Sequence, residues 1–309
     1  MKRALVLISL FAATPLSAQS DRAPFMVDEL GRSFWRLDDA FAAIGQGDGT
    51  VTIAPGTYQD CGAFAGGALW IRAAQPGTVT FDGGTCEGKG GLVLRGRTAR
   101  VSGLIFQNMR VGDRNGSGIR MEKGNLFVEN SVFRNSEQGI LTNEIPGGNV
   151  VIDKVTFSGL GGCPDGLCSH SIYIGDIASL KVTRSRFERG TGGHYVKARS
   201  ARVEISDNSF DDSSGRETNY MIDLPAGSTG LITGNTFVQG RNKDNYGSLI
   251  AIGAEKRLHP TAGLAIFNND ASLAPGATNP ANFISDWTHE PITVTNNRVG
   301  PNLTLFKKI

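Results

Sequence analysis

Between Ser169 and Gly227 the sequence sets titratable side chains into three short apolar runs, HSIYIGD, GHYVKARS and NYMIDLPAG. Residues of an extended strand point alternately to opposite faces. That puts Ile172, Ile174, Val196, Ala198, Ile222 and Leu224 on one face and Tyr173, Lys197, Arg199 and Asp223 on the other. If the runs are neighbouring parallel strands, Tyr173, Lys197 and Asp223 form a column at steps of about 4.8 Å. His170, His194 and Tyr220 form a second column, two positions ahead of Ile172, Val196 and Ile222. Two of the four histidines of the chain fall in it, beside Tyr173 and Lys197.

Lysine, arginine, histidine and tyrosine on one face suit the removal of a proton next to a carboxylate. In β-elimination from a uronate unit a cation neutralises the carboxylate, a base takes the adjacent proton, and the 4-oxygen leaves, often with help from an acid. Lys197 and Arg199 lie two apart on one strand, which spaces their outward side chains about 6 to 7 Å apart. Asp223 either orients Lys197 or joins Glu255 in offering ligands to a calcium ion, the one cofactor the sequence suggests. Epimerisation at the same carbon uses the same set of groups. Hydrolysis needs two carboxylates on one groove, about 5 to 9.5 Å apart, and no second acid stands in register with Asp223. Outside enzymology, the chain reads as a non-catalytic glycan-binding or envelope solenoid, with Tyr173, Tyr195 and Tyr220 as its platforms. The blandest reading is an ion-pair ladder on a solvated face. Convergence of the two columns favours chemistry over that ladder.

The elements that position these residues begin after an export signal. Met1, Lys2 and Arg3 precede an apolar run from Ala4 to Ala13 and a small-residue exit from Pro15 to Ala18. Residues 1–18 therefore read as a secretory signal, too short to anchor in a bilayer, and the product is expected to be secreted or periplasmic. No later stretch approaches ~18 consecutive apolar residues, so no membrane span is expected. A formal charge of +2 without like-charge blocks implies no nucleic-acid partner. The expected partner is an acidic polysaccharide, met by a monomer. Four cysteines in an exported chain favour disulfides over metal, and of three connectivities the local one is preferred, Cys61 with Cys86 and Cys163 with Cys168.

Within the N-terminal segment 19–50, SFWRLDDAFAAI has apolar residues near helical spacing. It predicts a short helix from Ser33, a candidate N-cap, to Ile44, closed by Gly45 and covering the open end of the strand-rich region beyond it. That region, residues 51–309, is a repeat. ARVSGLIFQN, LFVENSVFRN, VVIDKVTFSG, SLKVTRSRFE, RVEISDNSFD and GLITGNTFVQ each carry a branched apolar residue five positions before a phenylalanine. Phe106, Phe133, Phe157, Phe187, Phe210 and Phe237 are separated by 27, 24, 30, 23 and 27 positions, and Val299 continues the series. A period of this length without helical patterning indicates a solenoid of β coils. Asn208, Asn235 and Asn297, each two positions before the core residue, are placed to stack from coil to coil. Residues 268–291 show no clean alternation and predict a long excursion that covers the C-terminal end of the solenoid.

The opening VTIAPGTY, the coils GGLVLRGRTARVSGLIFQN and the recurring V-x-x-N-x-F unit resemble the right-handed parallel β-helix proteins of the pectate-lyase-like superfamily. The resemblance implies an all-β, single-stranded right-handed parallel β-helix with a short N-terminal capping helix. It spans residues 51–299, nearly all of the expected mature chain. YVKARSARVEISDNSF is similar to the lysine-bearing strand and turn of alginate and chondroitin lyases of this fold, which implies Lys197 as the base. Where those lyases carry an arginine-histidine pair on the following coil, this chain has IDLPAGS with Asp223.

Overall fold

The computed structural model describes residues 22–166 and 168–309, so the expected signal segment lies outside it. Its unit is a coil of three short strands, each of which joins a different sheet. The first sheet has 12 strands, and the second and third have 10 each. Apart from the antiparallel pairs made by Phe25–Val27, every pairing along the three sheets is parallel. The result is one continuous parallel β-helix.

A single backbone conformation makes eight successive corners between the first and second sheets. Asn130, Lys154, Arg184, Asp207, Asn268 and Asn296 have φ between 48 and 59°, with Gly103 and Gly234 doing the same at 74 and 68°. One left-handed residue turns the chain sharply, and Gly, Asn and Asp accept that region at the least cost. The next residue then points inward beside the core. At four successive corners it is asparagine: Asn208, Asn235, Asn269 and Asn297, whose side-chain amides donate to the next side-chain oxygen at 2.9, 3.0 and 2.8 Å. The same oxygens take the backbone N–H of Asn208, Asn235 and Asn269 at 3.0, 3.0 and 3.1 Å. The ladder thus satisfies buried backbone that the corner leaves without a strand partner.

The second sheet lines the core with aromatic rings. Phe81, Phe106, Phe133, Phe157, Phe187, Phe210 and Phe237 stack with centroids 4.8 to 5.4 Å apart and planes within 11°. The sequence pattern found all but Phe81. After Phe237 the register runs through Ala271 to Val299, so a coil with a small core residue stands where the repeat had none.

The structure corrects two expectations. Ser33 sits in the strand Arg32–Phe34, not at a helix N-cap, and the helix, α1, is Leu37–Ile44. Arg32–Phe34 is drawn into antiparallel pairing with Phe25–Val27, and the N–H of Leu37 is capped instead by Asp60 Oδ2 at 3.0 Å. Gly45 closes the helix as expected. The predicted excursion over 268–291 is also mostly a coil, with strands Asp270–Leu273 and Ala281–Asp286 in the second and third sheets. Ala271 and Asp286 break the usual apolar pattern, which hid the coil from the sequence. Both disulfides form as expected, Cys61–Cys86 and Cys163–Cys168.

Candidate functional site

The third sheet differs from the other two in being covered on its outer face. Val196–Ala198, Ile222–Leu224 and Ser248–Ile252 are buried at every position. Residues 160–166 and 168–170, closed by the Cys163–Cys168 bond, lead into the strand Ile172–Ile174, and residues 253–263 follow the strand Ser248–Ile252.

On this face the register gives Tyr173↔Lys197↔Asp223↔Ala251, the column the alternation predicted. Lys197 is only 7% exposed, however, and Asp223 2%. They point away from the core yet lie beneath neighbouring side chains, which sets them apart from a solvated ladder. Lys197 Nζ donates to Asp223 Oδ2 at 2.8 Å and to Glu255 Oε1 at 2.7 Å. Arg199 donates to Glu255 Oε2 and to the Tyr173 oxygen, both at 2.6 Å. Glu255 thus spans the two cations with one carboxylate while its side chain stays 47% exposed.

Glu255 belongs to no strand, and the turn that carries it is tied back across the sheet. His259 Nε2 lies 2.9 Å from Asp176 Oδ1 and 3.1 Å from the carbonyl of Arg199. The second acid that the strand register lacks is therefore delivered by a loop. Both carboxylates converge on the Lys197 ammonium, which fills the space between them. The residues present fit a lysine there and not a calcium ion. Among the described residues no three His, Cys, Asp or Glu side chains group to hold a metal. A sugar bond cannot enter between the two acids either, as hydrolysis would require.

The second column is a ladder of rings. His170 stacks on His194 at 4.8 Å and His194 on Tyr220 at 5.3 Å. His170 Nδ1 accepts the N–H of His194 at 3.0 Å, and His194 Nδ1 accepts the N–H of Tyr220 at 3.1 Å. Each neutral ring must then carry its hydrogen on Nε2, so both histidines are donors there and not bases. His194 Nε2 lies 3.4 Å from Asp223 Oδ2. Tyr195, counted as an outer platform in the sequence, is buried inside, its hydroxyl donating to Asp212 Oδ1 at 2.7 Å.

Electrostatics follow from burial. Burial drives His170 down to about 3, helped by the charges of Lys197 and Arg199, and drives His194 well below its ordinary value. Burial also raises Asp223, against the pull of Lys197. For Lys197, burial acts to lower the amine, but Asp223 and Glu255 outweigh it and hold the group above its ordinary value. The resting lysine is therefore an ammonium ion. Asp223 Oδ1 is buried without a hydrogen-bond partner.

Beneath the ladder lies a network that the sequence did not suggest. Lys243 Nζ donates to Asp212 Oδ2 at 3.1 Å and to the carbonyl of Asn219. Asp212 also accepts from Thr218 at 2.8 and 2.9 Å. No local pattern marks Lys243 within RNKDNY as anything but a polar turn.

The chain belongs to the right-handed β-helix family, since the family model described as "Right handed beta helix region" matches residues 71–299. Among curated proteins none matches its sequence. Of solved structures, it is similar to Geobacillus virus E2 ORF18, with a TM-score of 0.58 and 13% identity over 88% of this chain and 57% of that one. It is also similar to a PL6 alginate lyase in complex with a trisaccharide, with a TM-score of 0.50 and 15% identity over 85% of this chain and 56% of that one. The chain thus spans less than two thirds of either. A third similar structure is the deglycosylated pectin methylesterase of Aspergillus niger, with a TM-score of 0.40 and 10% identity over 95% of this chain and 91% of that one. Among the described residues no helix is long and apolar enough to cross a membrane.

Proposed function

We propose that this is an exported protein that binds an acidic, uronate-containing polysaccharide along its third sheet and cleaves it by β-elimination. The observation that carries the reading is that Lys197 and Arg199 already hold a carboxylate, that of Glu255, at 2.7 and 2.6 Å on a half-exposed side chain. A uronate carboxylate offers the same charge and the same two oxygens. It competes for the pair by displacing Glu255 into solvent. The similarity to an alginate lyase that was captured with a trisaccharide supports a sugar substrate, and the two disulfides support an oxidising location.

In this scheme Arg199, which never loses its proton, neutralises the uronate carboxylate and makes the neighbouring C5 proton more acidic. With the uronate carboxylate held by Arg199, Lys197 loses its bond to Glu255 and keeps only Asp223, which brings its amine down toward the range of a base. Asp223, already raised by burial, takes the proton that Lys197 gives up. The neutral amine removes the C5 proton, the C4–O bond breaks, and a C4=C5 double bond forms. Tyr173 and His194 flank Lys197 as hydrogen donors, and one of them protonates the departing oxygen. The backbone N–H of Tyr220, bound at Nδ1, holds His194 in its donor form.

The test is a screen of uronate polymers, reading the absorbance of unsaturated product. Lys197→Gln keeps hydrogen bonds to Asp223 and Glu255 but cannot act as a base. It should lower turnover by about 10²- to 10⁴-fold, the usual contribution of a general base. Lys197→Ala is the poorer variant, because the side chain is buried in an ion pair and its loss destabilises the fold. Near-normal turnover by Lys197→Gln, with an unchanged melting temperature, would remove Lys197 from the base position.

A further inference from the structure

A second strip of chemistry runs along the outer face of the first sheet. Its register places Thr50, Trp70, Arg100, Phe127 and Val151 in one column. At steps of about 4.8 Å, Trp70 and Phe127 stand roughly 10 Å apart with Arg100 between them. Trp70 is 41% exposed, where a strand would ordinarily present a polar residue. Depressions of about 250 and 280 Å³ flank it, and Trp70 and Arg100 line both.

Arg100 is the unusual member. Its guanidinium lies 4.7 Å above the Phe127 ring, and among the described residues it makes no hydrogen bond or ion pair. Apart from Glu129, which lines the same depression, the charges around it are already engaged. Arg72 lies 4.6 Å from the Trp70 ring and bonds to Asp28 at 2.9 Å. Asp48 pairs with Arg97 at 2.9 Å, and Asp153 accepts from Arg184 at 2.8 Å. Stacking on Phe127 leaves the five N–H donors of the guanidinium without a partner among the described residues, an arrangement suited to a planar carboxylate.

We propose that this strip is a second binding site for an acidic polysaccharide, separate from the Lys197 cluster. One sugar ring stacks on Trp70, and the carboxylate of a neighbouring unit pairs with Arg100. Glu129, which lines the depression shared by Trp70, Arg100 and Phe127, accepts from sugar hydroxyls. Aromatic stacking and a flat, unpaired cation together select a charged sugar over either a neutral sugar or a charged peptide. The choice of an acidic polymer rests on the proposed function. The existence of the strip does not.

The experiment measures binding isotherms of the full protein for alginate, polygalacturonate and chondroitin sulfate, with a neutral glucan and poly-aspartate as controls. Trp70→Ala and Arg100→Ala are exposed substitutions and should each weaken binding to the preferred acidic polymer at least tenfold. Turnover of a short uronate oligosaccharide should be unchanged in the two strip variants. Wild-type binding without any elimination product would sink the lyase reading and leave the strip standing. Three results would overturn the strip: no binding of any acidic polymer by wild type, wild-type affinity in both strip variants, or equal binding of poly-aspartate or the glucan.

Discussion

Each histidine of the candidate site is fixed in one form by the next coil, because a backbone N–H occupies its Nδ1. Protonating either ring would bury a charge beside Lys197. His170 takes up its proton at 6.5 in the unfolded chain but only at about 3 in the fold, and His194 is shifted the same way. Between those values the unfolded state binds more protons. The contribution of these rings to stability is therefore fully present above pH 6.5 and is lost as the pH falls toward 3. Chemical denaturation at pH 7, 6 and 5, where most carboxylates are silent, should show midpoints that drop with pH. His170→Gln should lower the midpoint at pH 7 and flatten its fall. Parallel slopes for wild type and variant would refute this account. Alternation alone located Tyr173, Lys197 and Asp223, since one register relates all three. It misplaced Tyr195 because the strand begins only at Val196, and the residue before it turns inward to meet Asp212. Glu255 could be named but not placed, because no periodicity governs a residue on a loop.

The turns between the second and third sheets are joined by buried side chains as well as by backbone bonds. Asp212 gathers bonds from Tyr195, Thr218, Lys243 and the N–H of Gly240, joining three successive turns. Neither Lys243 nor Asp212 exposes any of its side chain, so each depends on the other for its charge. Burial already pulls Lys243 below its ordinary value despite Asp212. Asp212→Asn keeps the size of the side chain and removes its charge, leaving the lysine buried without a counter-ion. Such single losses cost about 3–5 kcal/mol. The denaturant midpoint should fall accordingly, and adding Lys243→Met to Asp212→Asn, which removes the stranded charge and keeps an acceptor for Tyr195 and Thr218, should recover much of the loss. A cost below about 1 kcal/mol for the single change would mean that water reaches the pair. These turns were the least legible part of the chain. Polar residues in a turn look alike in sequence whether they face solvent or a neighbouring coil. The asparagine corners could be read because they repeat at the core period, and only Asn269 escaped, in the coil whose core residue is Ala271.

A solenoid of this kind stabilises each coil through its neighbours, so its ends are where the arrangement is most exposed. The long phenylalanine period made the body of the molecule legible, whereas nothing periodic describes an end. At the N-terminal end α1 supplies what a neighbouring coil would have supplied. Leu37 is buried against Gly62, where a Cβ would lie 2.8 Å from it, and Phe41 meets Phe64 at 5.5 Å. Asp38 Oδ1 takes the N–H of Ala63 at 2.9 Å, a donor on the first strand of the third sheet. The Cys61–Cys86 bond ties that coil to the next, so lifting the helix should expose the end without unravelling it. Leu37→Asp places a charge in this contact. An uncovered sheet end offers apolar surface and unpaired backbone to another copy. Light scattering across a concentration series should therefore show self-association of Leu37→Asp well beyond that of wild type, while the phenylalanine-stacked body retains its β-sheet circular dichroism. Asp38→Ala, which frees one donor and keeps the apolar contact, should show a smaller effect. If Leu37→Asp scatters as wild type does at every concentration, the helix packs against the end without being needed to close it.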